Sequence, residues 1–313
     1  MSDLVHVAVG VIEGADGRIL IAQRPKQSHQ GGLWEFPGGK LAAGENVHQA
    51  LVRELREELA IETLASEPLI QIRHDYGDKK VLLDVRRVTR FSGEARGAEG
   101  QPLKWVEISQ LENYAFPAAN RPIITALQLP QKMLVTGPAR TQEDYLAAIQ
   151  IAIAAGASGV QLRCPDMSTD DYLSLASACQ RLCDFHKVPL FLNTSPEIFN
   201  RSNGAGLHLN RHWLRQLTAR PVAADVLLGA SCHDAEELQL AQALGVDYVS
   251  LSPVKATGSH PGAEFLGWEK FAALVRDTQI PVYALGGVTE VDLPQAIAVG
   301  AQGIAAISCW WPR

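Results

Sequence analysis

From residue 133 to the end of the chain one rhythm returns eight times: a short apolar run, a polar joint, then a helical stretch. The runs are MLVTG, GVQLRC, PLFLN, GLHLN, LLGASC, YVSLSP, PVYALGG and GIAAIS. Stretches between them, such as DYLAAIQIAIAAG and DAEELQLAQALG, are rich in alanine and leucine and close on glycine, which ends a helix at least steric cost. Consecutive parallel strands need a helical crossover, and eight such units without a long insertion predict a small (β/α)8 TIM barrel, with an open doubly wound sheet as the alternative.

Residues 5–129 keep a different rhythm. Runs of strand character (VHVAVGVIE, RILIAQR, KKVLLDVRRV, LKWVEI) surround one Glu-rich helix, a second helix lies near Ile123 to Leu127, and Gly14 to Gly17 reads as a hairpin turn. Strands in an antiparallel or mixed sheet with helices on its faces predict an α+β fold, an α/β/α sandwich. At 313 residues the chain is too long for one typical core. The predicted domains are 1–129 and 133–313, joined at Leu129-Pro130-Gln131-Lys132.

Residues 39–61, GKLAAGENVHQALVRELREELAI, carry the densest chemistry. Asn46 with Gln49 three residues on forms a capping-box signature, so Glu45 lies near the positive end of the helix dipole. Glu54, Glu57 and Glu58 follow at i, i+3 and i+4, a spacing expected to gather three carboxylates on one helix face, where a hard cation such as Mg²⁺, or Mn²⁺ in its place, would relieve their repulsion. A solvated helix in which Arg53 pairs with Glu57 is the plainer reading.

The array of Gly39, Glu45, Arg53-Glu54, Glu57-Glu58 and Ile61 resembles the Nudix box, with Ala60 where that family has glycine. Together with Trp34 to Lys40, Glu99 to Pro102 and Phe116 to Asn120, it resembles the MutT branch of Nudix hydrolases, which remove 8-oxo-dGTP from the nucleotide pool and so avoid mutation. The resemblance implies that Glu54, Glu57, Glu58, Glu99 and the Gly38 carbonyl hold Mg²⁺, with Glu54 or a neighbour acting on the attacking water. It implies hydrolysis at the β-phosphorus to a nucleoside monophosphate and pyrophosphate. It also implies a substrate site of Arg24, His29, Glu35, Phe36, Pro37, Gly38, Lys40, Lys79 and Asn120. In that site Asn120 reads the purine edge, and Lys79 stands where the bacterial relatives carry an arginine.

The barrel resembles the thiamine-phosphate synthase and thiazole tautomerase superfamily, whose landmarks GVQLR, LFLN, GLHL, GASCH, DYVSLSPV and ALGGV occur here in order. That resemblance implies a phosphate site at Gly286, Gly287 and Ser308, an acid or base at His233, and a thiazole or pyrimidine phosphate as ligand. Two metal-binding acids of the synthase are missing: Thr194 follows Asn193 and Arg211 follows Asn210. Cys164 replaces a lysine expected soon after Arg163. Two other readings follow from the fusion: the first domain hydrolyses damaged or surplus thiamine diphosphate, or the barrel is a non-catalytic sensor that regulates it.

A net charge of -6 argues against a general grip on DNA or RNA. The N-terminus lacks the pattern of an export signal and no long apolar run appears, which predicts a cytoplasmic protein without a membrane partner. Five cysteines, an odd number without a CxxC pair, predict reduced thiols.

Overall fold

The computed structural model describes residues 4–27, 30–77, 79–257 and 264–312, so His29 lies outside the described residues. The chain divides into two compact units, Met1–Gln128 and Leu129–Arg313.

The first unit is a mixed sheet between helices. Its elements are β1 (Val5–Glu13), β2 (Ile19–Gln23), β3 (Trp34–Glu35), β4 (Gly38–Lys40), α1 (Val47–Leu59), β5 (Glu62–Asp75), β6 (Lys80–Ser92), β7 (Leu103–Val106) and α2 (Arg121–Gln128). The strands run in the order β3-β2-β1-β6-β5, with β4 paired to β1 and β7 to β2. β1 and β6 are parallel, and their period of two divides the core. Val9 and Val11 pack with Ile123 and Ile124 of α2, while Ala8 and Ile12 pack with Leu51, Leu55 and Leu59 of α1. The leucines at i, i+4 and i+8 give α1 its buried stripe and leave Arg53, Glu54, Glu57 and Glu58 outside it.

Both halves of the capping box form at the start of α1: Asn46 Oδ1 accepts from Gln49 N at 3.0 Å, and Gln49 Oε1 accepts from Asn46 N at 2.9 Å. The helix ends at Ala60 in the left-handed conformation (φ 57°, ψ 31°) that glycine adopts without strain. Ala60→Gly is therefore expected to stabilise the last turn of α1 by about 0.5–1 kcal/mol, read as slower amide exchange there; unchanged or faster exchange would mean the Cβ is not strained.

The long strand β5 is absent from the sequence reading. ETLASEPLIQIRHD lacks clean alternation and contains Pro68, yet it pairs along most of β6 with register shifts around Ala65 and between Pro68 and Ile70. It lies at the end of the sheet order, where a proline and irregular pairing are tolerated.

The second unit is a closed parallel barrel of β8 (Lys132–Val135), β9 (Gly159–Arg163), β10 (Leu190–Asn193), β11 (Gly206–Leu209), β12 (Leu227–Cys232), β13 (Tyr248–Leu251), β14 (Val282–Leu285) and β15 (Gly303–Ala306). Its helices are α3 (Gln142–Ala154), α4 (Thr169–His186), α5 (Pro196–Phe199), α6 (Arg211–Gln216), α7 (Ala235–Leu244), α8 (Gly267–Arg276) and α9 (Leu293–Ala298). Met133, Val135, Phe191, Tyr248 and Tyr283 form one cluster, and Leu134, Val160, Leu162 and Leu190 join the larger core that includes residues of the helices. Gly229 makes room for Tyr248, whose Cζ would lie 2.2 Å from a Cβ there.

All five cysteines are free thiols, four of them buried. Among the described residues no helix is long and apolar enough to cross a membrane.

Candidate active site

Strand β4 is the partition on which the N-terminal site is built. Gly38 has φ 147°, and a Cβ there would lie 2.1 Å from the Ala8 carbonyl oxygen of β1. Its N–H donates to Glu58 Oε2 at 3.1 Å. At Gly39 a Cβ would lie 2.2 Å from Glu54 Cδ, so the missing side chain is the space that the Glu54 carboxylate occupies. The two glycines thus seat Glu54 and Glu58, one helical turn apart, against the same strand.

Glu57 does not join them. Residues 54 and 58 are about 40° apart around a helix, whereas 57 and 58 are about 100° apart. Accordingly Glu57 is 58% exposed and, among the described residues, pairs only with Arg53, at 3.5 Å. Among the described residues no group of three His, Cys, Asp or Glu side chains is close enough to hold a metal ion as the side chains stand.

Arg53 is the organiser that the sequence reading placed only against Glu57. Its Nε and Nη2 donate to the two oxygens of Glu45 at 2.7 and 2.8 Å, its Nη1 to Glu54 at 2.7 Å, and its Nη2 also to the Lys40 carbonyl at 3.1 Å. Hydrogen bonding from Arg53, then from the Ala42 N–H, holds the Glu45 carboxyl down to about 2. The planar fork of arginine explains the identity of this residue, because one guanidinium ties the loop, β4 and the acidic helix together.

Glu58 lies at the opposite extreme. Burial, with added repulsion from Glu35, Glu54 and Glu99, pushes its carboxyl up to about 8 despite the Gly38 N–H. Glu99 is exposed, on a loop tied to the open carbonyls at the end of α1: Ala98 N and Gln101 Nε2 both donate to the Glu58 carbonyl at 2.9 Å, and Gln101 Oε1 accepts from Glu99 N.

Beside β4 opens a cavity of about 200 Å³. Of the predicted substrate residues, Arg24, Glu35, Phe36, Gly38, Lys40, Lys79 and Asn120 line it. Pro37 does not; its carbonyl accepts from Gly10 N at 2.8 Å and fixes the strand behind. Arg24 is paired with Glu35, whose carboxyl is raised by burial. Phe36 is buried and stacks on Phe116 (centroids 5.3 Å, planes at 23°). Asn120, 8% exposed, ends a single 3-10 turn (Ala118–Asn120) ahead of α2. Lining residues not in the predicted substrate set are Gln30, Gly39, Tyr76, Pro117 and the apolar Val7, Val9, Val81 and Leu83. The apolar four were legible as the alternation of β1 and β6; Tyr76 sits beyond the end of the missed strand β5.

In the barrel, Gly286 and Gly287 have φ 90° and 69°, and a Cβ on either would strike Pro253 Cα at 2.7 Å or the Ala256 carbonyl at 2.3 Å. Packing of the neighbouring loop therefore demands both glycines. Ser308 is exposed two residues beyond β15. Asn193 ends β10, and Arg211, the first residue of α6, pairs with Asp234 and Glu237. His233, directly after β12, bonds Glu237 through Nδ1 at 2.8 Å. Another histidine, His208, is fully enclosed between Tyr248 and Ser231, and desolvation pushes it down to about 3.

Residues 8–126 match the NUDIX domain family, and residues 132–309 match the family described as thiamine monophosphate synthase. The N-terminal region is 36% identical over 124 residues to the 8-oxo-dGTP diphosphatase of Escherichia coli, covering 40% of this chain and 96% of that protein. It is 40% identical over 123 residues to the CTP pyrophosphohydrolase of the same organism, covering 39% and 90%. The C-terminal region is 29% identical over 168 residues to the thiamine-phosphate synthase of Clostridium acetobutylicum, covering 53% and 80%. The chain therefore belongs to two families at once, the Nudix family through its first unit and the thiamine monophosphate synthase family through its barrel.

Proposed function

We propose that the N-terminal unit is a Mg²⁺-dependent nucleoside triphosphate pyrophosphohydrolase that acts on 8-oxo-dGTP. The observation that carries the reading is the shared strand β4, with two seated carboxylates at Gly38-Gly39 and a base-sized cavity lined by Phe36 and Asn120. A carboxyl raised by burial and then by neighbouring carboxylates is a donor short of positive charge, and an all-oxygen set suits Mg²⁺, with Mn²⁺ as a substitute. Glu54, Glu57, Glu58, Glu99 and the Gly38 carbonyl are the candidate ligands, of which Glu54 and Glu58 already face β4. Bound metal would supply charge neutralisation on the phosphates and an acidified water.

The chain's own residues do the rest. Arg24, Lys40 and Lys79 line the cavity with cationic groups for sugar or phosphate. Asn120 presents a donor and an acceptor together, which suits a purine whose oxidised ring has exchanged an acceptor for a donor. For the full chain, kcat/KM for 8-oxo-dGTP is expected to exceed that for dGTP by about 100-fold, and Asn120→Ala to remove about 10-fold of that preference. Removing divalent metal with EDTA is expected to abolish turnover. A preference for CTP or for oxidised thiamine diphosphate in the same panel would overturn the substrate assignment.

For the barrel, the donor set does not fit the synthase's magnesium: Thr194 and Arg211 occupy the acid positions, and Arg211 is committed to carboxylates of α7 and its cap. The reading favoured for it is a phosphate-binding barrel at Gly286, Gly287 and Ser308, with His233 as the acid or base.

A further inference from the structure

Glu237 is the most heavily committed carboxylate in the barrel. Its side chain is 0% exposed, a position that costs several kcal/mol unless every lone pair is met. Oε1 accepts from Arg211 Nε and from Arg215 Nε at 3.1 Å. Oε2 accepts from the His233 backbone N–H at 2.9 Å and faces its Nδ1 at 2.8 Å.

A purely structural role at this position has a recognisable form. Glu237 is the third residue of α7, where a glutamate ordinarily bends back to the backbone N–H of the N-cap residue, here Asp234. It does not do so; it passes the N-cap and takes both the main chain and the ring of the residue before it. The binding energy of a buried anion is thereby spent on orienting one imidazole, which is itself 37% exposed. His233 stands at the carboxyl end of β12, and Arg211 opens α6 one residue beyond the end of β11, so the whole network sits on the end of the barrel where such folds do chemistry.

We infer that Glu237 is a positioning residue for His233: it receives Nδ1–H and fixes that tautomer, so that Nε2 is the nitrogen left to exchange a proton with a ligand at the barrel mouth, while Arg211 and Arg215 limit the negative charge that the imidazole sees. The inference deepens the acid–base role proposed for His233. A histidine facing a carboxylate alone would hold its proton more tightly. Here two guanidinium groups from α6 share that carboxylate, Asp234 lies 3.9 Å from Arg211, and the Cys232 thiol, raised by burial, contributes no charge at neutral pH.

The test is an NMR titration of the full chain labelled at histidine, with His233 assigned through His233→Asn. In the wild type the neutral ring is expected as the Nδ1–H tautomer, the minor form of free histidine. Glu237→Gln is expected to mix the two neutral tautomers, and Arg215→Gln, which leaves Glu237 its bond from Arg211, to keep the Nδ1–H form. Arg215 is partly exposed and Arg211 still meets Oε1 in its absence, so the second variant keeps the fold, and the wild-type tautomer carries the test even where Glu237→Gln does not fold. An Nε2–H tautomer in the wild type, or a folded Glu237→Gln protein that keeps a single Nδ1–H tautomer, overturns the inference. Barrel turnover is a separate readout, so loss of activity without a change in this titration counts against the acid–base role and not against the positioning.

Discussion

Replacing Glu58 with glutamine is expected to cut nucleotide hydrolysis by a factor of about 1,000 or more while leaving the metal-free protein at least as stable as before. The two effects have one origin. Burial, and then the nearby Glu35, Glu54 and Glu99, raise the Glu58 carboxyl to about 8 against an ordinary 4.5, although it accepts from the Gly38 N–H. A carboxyl raised on folding is ionised in the unfolded chain above pH 4.5 but stays protonated in the fold until about pH 8. Unfolding therefore releases a proton in that window, and stability falls as pH rises through it.

Glutamine removes the ionisation and keeps an oxygen to accept from Gly38. The variant should gain on the order of 1–3 kcal/mol over wild type near pH 7–8 and nothing near pH 4. Mg²⁺ should reverse the order by stabilising the wild type and not the variant. Glu54→Gln should also lose hydrolysis by orders of magnitude, but without that stability gain. Chemical denaturation at pH 4 and pH 8, with and without Mg²⁺, checks all of this. A Glu58→Gln enzyme with normal kcat would remove the acidic helix from the proposed mechanism.

What the sequence disclosed, and what it hid, divides along physical lines. Local rules carried α1: its capping box, leucine stripe and end at Ala60 are all consequences of residues within a few turns. The barrel was legible because each βα unit repeats the same local problem, so eight weak signals reinforced one another. β5 was hidden because an edge strand is specified by its partner and not by its own alternation. The acidic site was legible in membership but not in arrangement. Helix spacing alone put Glu57 with Glu54 and Glu58; the tertiary partner, β4, selects the two that face it. Arg53 had to be seen in space, because the Lys40 carbonyl ends β4 and Glu45 lies in the loop after it, whose path no local rule fixes. The same holds for Glu237, whose arginine partners come from the preceding βα unit.

The largest loss of stability is expected from a single methyl group at Gly38. Three glycines around the acidic helix separate the possible causes. Gly44 has φ 85° with nothing within 4 Å of a Cβ, so Gly44→Ala tests backbone conformation alone and should cost about 1 kcal/mol. Gly39 is met by the end of a flexible side chain, the Glu54 carboxylate; Gly39→Ala should displace that group and lower kcat about 100-fold with little change in stability. Gly38 combines φ 147° with main-chain obstruction, since its Cβ would lie 2.1 Å from Ala8 O and 2.9 Å from Val9 Cα. β1 cannot yield as a side chain can, because it pairs with β2, β4 and β6. Relief must then come from opening the β1–β4 ladder, at about 3–4 kcal/mol, which also withdraws the N–H that seats Glu58. Gly38→Ala should therefore lose amide-exchange protection across β1 and β4 and lose hydrolysis together. If it instead matches Gly44→Ala in both measurements, β4 is not the rigid partition between carboxylates and cavity, and the geometry behind the proposed hydrolase fails with it.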